Sequence, residues 1–281
     1  MSADARNLNG LTAVVTGASS GVGAAAARRM AAMGASVVVV GRSVAKTRAI
    51  ADEVGGAGFT ADFARLTDVR RLAGQLLDSV PRIDFLVNNA GLVSAERERT
   101  VDGHELTMQV NFLSPFLLTS LLWNRLVRAP HTLVINTGSS FYRWGKIDPG
   151  DLNQDSRRYQ QMRAYNASKL ANVMHAAEIN RRAEEKVTAV AFHPGTIRSD
   201  FDRGSKLVTA AKSSLIGRRL TRSPEEGAEP IIEIAHTGDR RKLRGVFYNR
   251  LSPEPLRGPA TDASLGSQLW QQAEKLTHAL D

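Results

Sequence analysis

The sequence predicts an α/β fold: one doubly wound domain on a parallel sheet of about seven strands, spanning residues 1–281. Three observations carry this. Short β-branched runs alternate with longer helical patterns along the chain, the rhythm of strand–helix–strand units. The strand runs, such as VVVV at 37–40 and TLVIN at 132–136, are almost continuously apolar, as strands covered on both faces are. No internal repeat or low-complexity segment interrupts the 281 residues, a length that α/β folds often fill as one domain.

The strands are expected at 12–16, 36–40, 57–61, 83–87, 132–136, 187–192 and 245–248. Helices are expected near 21–33, 44–54, 66–80, 104–128, 157–185, 224–237 and 264–279. Right-handed crossovers bring the C-terminal strand ends to one edge, where ligands bind. Two stretches break the alternation. Residues 140–158 form a polar insertion, and 196–222 form a long connection after a strand. Both are expected to be variable substrate loops, the second a C-terminal substrate flap.

Composition narrows the function. With no cysteine, disulfides, thiolate metal sites and thiol nucleophiles are excluded. The six histidines show no metal-ligand spacing, so no metal is expected. The net charge of +9 comes from dispersed arginines, which implies a solvated surface with one anion site rather than a nucleic-acid partner. The N-terminus is not patterned as a signal peptide, and no apolar run reaches membrane-spanning length, so a cytoplasmic location is expected. The densest basic stretch, 203–222, mixes aliphatic and basic residues. A lid over a lipophilic ligand is favoured there over an amphipathic element resting on a membrane surface, because the apolar side is thin and lacks aromatics.

After the first strand comes TGASSGVG, with Gly17, Gly21 and Gly23 at the turn into a helix. Such glycines let the backbone approach a pyrophosphate whose charge rests on the helix N-terminus, a Rossmann-type arrangement. The spacing is Gly-x-x-x-Gly-x-Gly. The second strand ends in Gly41, Arg42 and Ser43, with no acid to bind ribose hydroxyls. Arg42 is suited instead to a ribose 2′-phosphate, so NADP(H) is the expected cofactor.

Downstream, AYNASKLAN places Tyr165 four residues before Lys169, on one face if the stretch is helical. A cation there favours phenolate and draws the tyrosine pKa toward the working pH of an acid catalyst. TGASSGVG, NNAG at 88–91, a serine after the fifth strand, YNASK at 165–169 and HPG at 193–195 occur in that order. Together they resemble the short-chain dehydrogenase/reductase family. GRSVAK at 41–46, SKLAN at 168–172, HPGTIRSDF at 193–201 and SPEEGA at 223–228 resemble its retinol-dehydrogenase-like branch.

The resemblance implies site residues. Gly17, Ser19, Ser20, Gly21, Val22 and Gly23 would cradle the adenosine side and the pyrophosphate, and Asp62 with Phe63 would edge the adenine. Asn89, Ala90 and Gly91 would support the middle of the cofactor, and Pro194, Gly195, Thr196 and Ile197 would line the nicotinamide. Asn88 is expected to tie strands together. Tyr165 would be the acid/base and Lys169 its tuning cation and ribose partner. Ser139 would bind the substrate oxygen, with Ser140 the alternative, and Asn111 would hold a water leading to Lys169. Phe141, Tyr142, Arg143 and Trp144 depart from the branch pattern and either face substrate or pack the insertion. His193 reads as structural rather than as a base. The implied activity is reversible hydride transfer between NADP(H) and a small-molecule carbonyl or alcohol, a lipophilic ketone or aldehyde, in a homo-oligomer (dimer or tetramer) built through helices near 104–128 and 157–185. The alternative is a non-catalytic NADP(H)-binding sensor or scaffold, which loss of Ser139, Tyr165 or Lys169 would have favoured.

Overall fold

A computed structural model describes residues 7–129, 131–183, 185–197 and 221–278. Their strands are β1 (Thr12–Thr16), β2 (Ser36–Gly41), β3 (Ala57–Thr60), β4 (Phe85–Asn88), β5 (Thr132–Thr137), β6 (Val187–His193), β7 (Val246–Asn249) and β8 (Ser252–Pro255). The helices are α1 (Gly21–Ala32), α2 (Val44–Glu53), α3 (Leu66–Ser79), α4 (Leu106–Met108), α5 (Ser114–Leu121), α6 (Trp123–Leu126), α7 (Gln161–Arg182), α8 (Pro224–Ala235) and α9 (Ala263–Thr277). Most of the predicted flap, at residues 198–220, lies outside the described residues, and with it most of the basic stretch at 203–222.

The strands form one sheet in the order β3-β2-β1-β4-β5-β6-β7-β8. Neighbours from β3 to β7 run parallel, and β8 pairs antiparallel with β7. The expected seven strands thus become eight. β8 reads SPEP, whose Pro253 and Pro255 lack the N–H that a central strand needs, so it is tolerated only at the edge. The order reverses between β1 and β4, which opens a crevice at their C-terminal ends.

Alternate strand residues enter two separate cores. Val14, Val38, Leu86 and Val134 pack toward α3, α5, α7 and α9. Val15, Val37, Val87 and Ile135 pack toward α1, α2 and α8 on the other face. This period-two division explains the unbroken apolar runs.

The single helix expected over 104–128 is broken. Residues Gln109–Leu113 form a π-turn closed by Ser114 N–H donating to the Gln109 carbonyl. Pro115 is the physical reason: it has no N–H to bond the carbonyl of Asn111, four residues earlier, and its ring crowds that carbonyl. The helix expected from 157 begins at Gln161, and the insertion before it holds two short 3-10 turns, Ser140–Trp144 and Pro149–Asp151.

α7 has no exposed residue between Ala164 and Ile179. α9 lies on its outer side, with Trp270 edge-on to Phe116 at 4.9 Å and Arg182 stacked over the indole at 4.5 Å. Of the helices that the resemblance singles out for oligomer contacts, the middle of α7 is therefore enclosed within the chain, whereas Asn124, Arg128, Met162, Arg181 and Arg182 stay exposed. No helix among the described residues is long and apolar enough to cross a membrane.

Candidate active site

The glycine turn sits at the mouth of the β1/β4 crevice and is tightly enclosed. Gly17 has φ +66°, and a Cβ there would lie 2.8 Å from the Cα of Ala90. A Cβ on Gly23 would lie 2.5 Å from the Gly17 carbonyl oxygen. Both positions thus admit only hydrogen as a side chain. Gly21 also takes a positive φ, +58°. The cap residue Ser20 makes no side-chain cap to α1, and the first turn of α1 carries no acid. The helix end thus carries no acid of its own first turn to meet its N–H groups, which suits a phosphate site.

Gly41 presses on Ser19, since a Cβ on Gly41 would lie 2.6 Å from the Ser19 Cβ. That contact brings the end of β2 to the turn and sets Arg42 beside it, exposed and in no ion pair with a described residue. Asp62 is half-buried, and its Oδ1 accepts from Ala64 N–H at 3.0 Å. Phe63 is 5% exposed with its ring in the core, and its carbonyl accepts from Ser114 Oγ at 2.6 Å and Gln109 Nε2 at 3.4 Å.

Thr16 and Thr137, which sequence reasoning passed over, organise the centre. Thr16 Oγ1 accepts from the N–H groups of Asn89 and Ala90 at 3.0 and 3.1 Å. The Asn89 side chain donates to the Thr16 carbonyl at 3.1 Å and accepts from Thr137 Oγ1 at 3.2 Å. Gly91, the last residue of the NNAG motif, is half-buried and follows Ala90 directly. Asn88 donates to Thr119 and Asn136, at 3.2 and 3.0 Å, tying β4 to α5 and β5. The only sequence signal for the two threonines is their place at the ends of β1 and β5.

Tyr165 and Lys169 stand one turn apart on α7, with Nζ of the lysine 5.6 Å from the centre of the tyrosine ring. Lys169 donates to the Thr137 carbonyl at 2.9 Å, and burial pushes its pKa down to about 7. The buried Ser139 follows β5, and its Oγ accepts from Phe141 N–H at 3.3 Å, which leaves the hydroxyl proton available. Ser140 begins the 3-10 turn and is half-buried.

Asn111 is fully buried in the π-turn. Its amide donates to the Leu92 carbonyl and to Ser168 Oγ, both at 3.0 Å, and its Oδ1 accepts from Leu92 N–H at 2.8 Å. Ser168 in turn donates to the Tyr165 carbonyl at 2.8 Å, so it links the π-turn to the tyrosine, a bridge the sequence did not single out.

After β6, Gly195 has φ +91° under the side chain of Arg222, and Arg222 N–H donates to the Thr196 carbonyl at 2.8 Å. Pro194 is half-buried. Ile197 and Val22 both touch Gly227 at the start of α8, which draws the segment 194–197 to the glycine turn. Burial, with Arg250, Lys169 and Arg222 nearby, lowers the His193 pKa to about 4, so this histidine is neutral at physiological pH. Among the described residues no cluster of potential metal ligands occurs.

Residues 11–207 match the family described as short chain dehydrogenase. The chain belongs to this family. It is 40% identical over 270 residues to a protein of Streptomyces sp. (strain C5) provisionally named a daunorubicin C-13 ketoreductase, covering 94% of this chain and 91% of that one. It is 32% identical to human retinol dehydrogenase 13, covering 95% of this chain and 84% of the relative. A solved structure of an uncharacterised protein from Mycobacterium paratuberculosis superposes with a TM-score of 0.75 at 33% identity, covering 98% and 96% of the two chains. The short-chain dehydrogenase assignment makes the chain an oxidoreductase family member acting on alcohol and ketone groups, with retinol-dehydrogenase-like relatives.

Proposed function

We propose that this short-chain dehydrogenase is an NADP(H)-dependent carbonyl reductase, moving a hydride reversibly between nicotinamide and a lipophilic ketone or aldehyde, with Tyr165 as the proton donor. The observation that carries this reading is the buried amino group of Lys169, one helical turn from Tyr165 and 5.6 Å from its ring centre.

The crevice suits the cofactor. The crowded glycines at 17 and 23, the uncapped start of α1 and the exposed Arg42, in no ion pair with a described residue, match a pyrophosphate and a 2′-phosphate. Ser19, Ser20, Gly21 and Val22 belong to the same cradle. Asp62 and the Phe63 main chain suit the adenine edge, Asn89 to Gly91 the centre, and Pro194 to Ile197 the nicotinamide. Bound there, nicotinamide supplies the hydride that reduces a carbonyl carbon.

The remaining chemistry falls to side chains. Tyr165 gives its phenolic proton to the carbonyl oxygen as charge develops there, and Lys169 in its protonated form favours the resulting phenolate. Ser139, its Oγ already bonded to Phe141 N–H, donates its own proton to the same oxygen. The Asn111 amide is committed to Leu92 and Ser168, so a water that returns the proton through Lys169 would sit on the Asn111 main-chain carbonyl. Pro115 leaves that carbonyl without its α-helical donor. Ser139, Tyr165 and Lys169 are all present, and nothing in the site favours a non-catalytic binder. A ketone substrate is supported by the ketoreductase name of the Streptomyces relative.

The test is Tyr165→Phe. NADPH oxidation across aliphatic, aromatic, steroid and retinoid carbonyls should fall by about 10²- to 10⁴-fold, the usual contribution of a positioned acid, while NADPH still binds. Turnover that survives this change would remove Tyr165 from the mechanism.

A further inference from the structure

We infer that Phe141 and Trp144 form a ledge for a flat ring system, so that the site takes a carbonyl carried on an aromatic or fused-ring body. This rests on the function proposed above for placing the reacting carbonyl at Tyr165.

Residues Ser140–Trp144 form a 3-10 turn, in which side chains three apart share a face. The turn is fixed on its inner side. Tyr142 is fully buried, with its ring 4.7 Å from that of Phe247. Arg143 pairs with Glu254, which Asn249 holds at 2.9 Å. Gly145 is pressed on α7, where a Cβ would lie 2.6 Å from the Asn166 carbonyl oxygen.

The other two aromatics of the turn are left in solvent: Phe141 is 42% exposed and Trp144 65%. Their ring centres are 5.5 Å apart and tilted by 48°. Phe141 stands edge-on to Tyr165 at 6.5 Å, and its N–H bonds Ser139. One end of the ledge is therefore the proposed proton donor and oxyanion partner. Met162, also exposed, lies one turn before Tyr165 on α7. Among the described residues the other large exposed apolar side chains are Val44, Val101 and Leu251.

A tethered turn holding two bare rings has little conformational freedom left to lose on binding, so rigid rings are efficient contacts. Ring separations of 5.5 and 6.5 Å fall in the range where aromatic systems attract. A third ring laid along them brings a carbonyl on its edge to Tyr165 and Ser139. A compact aliphatic ketone would leave both rings wet.

The test is equilibrium dialysis of 2-acetylnaphthalene, with cyclohexanone as the compact control, against the full chain saturated with oxidised NADP, which reduces neither ketone. Phe141→Ala/Trp144→Ala should weaken binding of the naphthyl ketone by about tenfold or more, the effect of two lost ring contacts, and leave cyclohexanone unchanged. Phe141→Leu/Trp144→Leu keeps apolar area without π faces and should recover only part of the loss. Thermal melting of each variant checks that the turn still folds.

Unchanged naphthyl binding, equal weakening of both ketones, or no naphthyl binding by the wild type would overturn the ledge. So would loss of co-sedimentation with phosphatidylcholine–phosphatidylglycerol vesicles in place of lost ketone binding, which would make the rings a membrane contact. A wild type that binds the naphthyl ketone through these rings yet transfers no hydride from NADPH to any carbonyl would remove the proposed function and leave the ledge standing.

Discussion

Lys169 donates to the carbonyl oxygen of Thr137 at 2.9 Å while only 2% exposed. No carboxylate among the described residues pairs with it, and burial lowers its pKa from 10.5 to about 7. Between those two values the unfolded chain holds a proton that the folded chain has released. Stability of the ligand-free protein therefore rises with pH across that window, and below pH 7 the destabilisation is complete, at roughly 5 kcal/mol. Lys169→Met removes that burden. The Thr137 carbonyl keeps a partner, since Asn172 also donates to it at 3.2 Å. Urea unfolding at pH 6.5 should show the variant more stable by several kcal/mol, with a flatter pH profile from 7 to 10, and carbonyl reduction should collapse. Parallel profiles for variant and wild type would remove the linkage.

Arg42 stands at the end of β2, exposed and without an acidic partner among the described residues. A charge-assisted fork to a 2′-phosphate contributes about 1.5–3 kcal/mol, or about 10- to 100-fold in affinity. Arg42→Ala should weaken NADPH binding by that factor and leave NADH, which lacks the phosphate, nearly unchanged. Titration of both dinucleotides against the variant measures this directly, and an undiminished preference for NADPH would relocate the phosphate site.

The parts of this fold legible from sequence are those set by burial on two faces and by backbone demands. Continuous apolar runs located β1, β2 and β5 because both sheet faces are covered. Gly17 and Gly23 were readable because their positions tolerate no Cβ. β8 was invisible, since Pro253 and Pro255 contradict strand propensity and survive only at the edge. The break at 109–113 had a signal in Pro115, outweighed by the long apolar run around it. The depressed pKa of Lys169 had none, because it arises from burial against the end of β5, whose Thr137 lies 32 residues away in sequence. The aromatic turn was ambiguous for a similar reason: only the fold separates the inward Tyr142 from the outward Phe141 and Trp144.

His175 is buried among Phe112, Phe116 and Trp270, with Nδ1 3.3 Å from the Asn136 amide. Burial lowers its pKa from 6.5 to about 3. The unfolded chain takes up this proton first as pH falls, so the contribution is whole above pH 6.5 and is lost progressively toward pH 3. His193, lowered to about 4, acts in the same direction. His175→Leu should flatten the loss of stability between pH 6 and 4, and Asn136 still donates to the Asn172 carbonyl at 3.1 Å. Denaturant midpoints at those two pH values, compared between variant and wild type, decide it; an unchanged acid slope would assign the loss to other groups.

The covering of α7 by α9 leads to a prediction about assembly. Trp270 is 9% exposed, and its Nε1 donates to Glu274 at 2.6 Å while its ring meets Phe116 and His175. Gly266, one turn earlier on α9, packs against Glu178 on α7. A second subunit reaches Phe116 of α5 and Glu178 of α7 only by displacing this helix. Hydrogen exchange of the α5 and α7 amides should therefore be independent of protein concentration, whatever other surface the chain uses to associate. Trp270→Ala should cost about 3–5 kcal/mol, the usual cost of truncating a buried tryptophan, and should increase self-association by baring Phe116. Protection of α5 and α7 that strengthens with concentration in the wild type would mean that α9 moves aside to admit a partner.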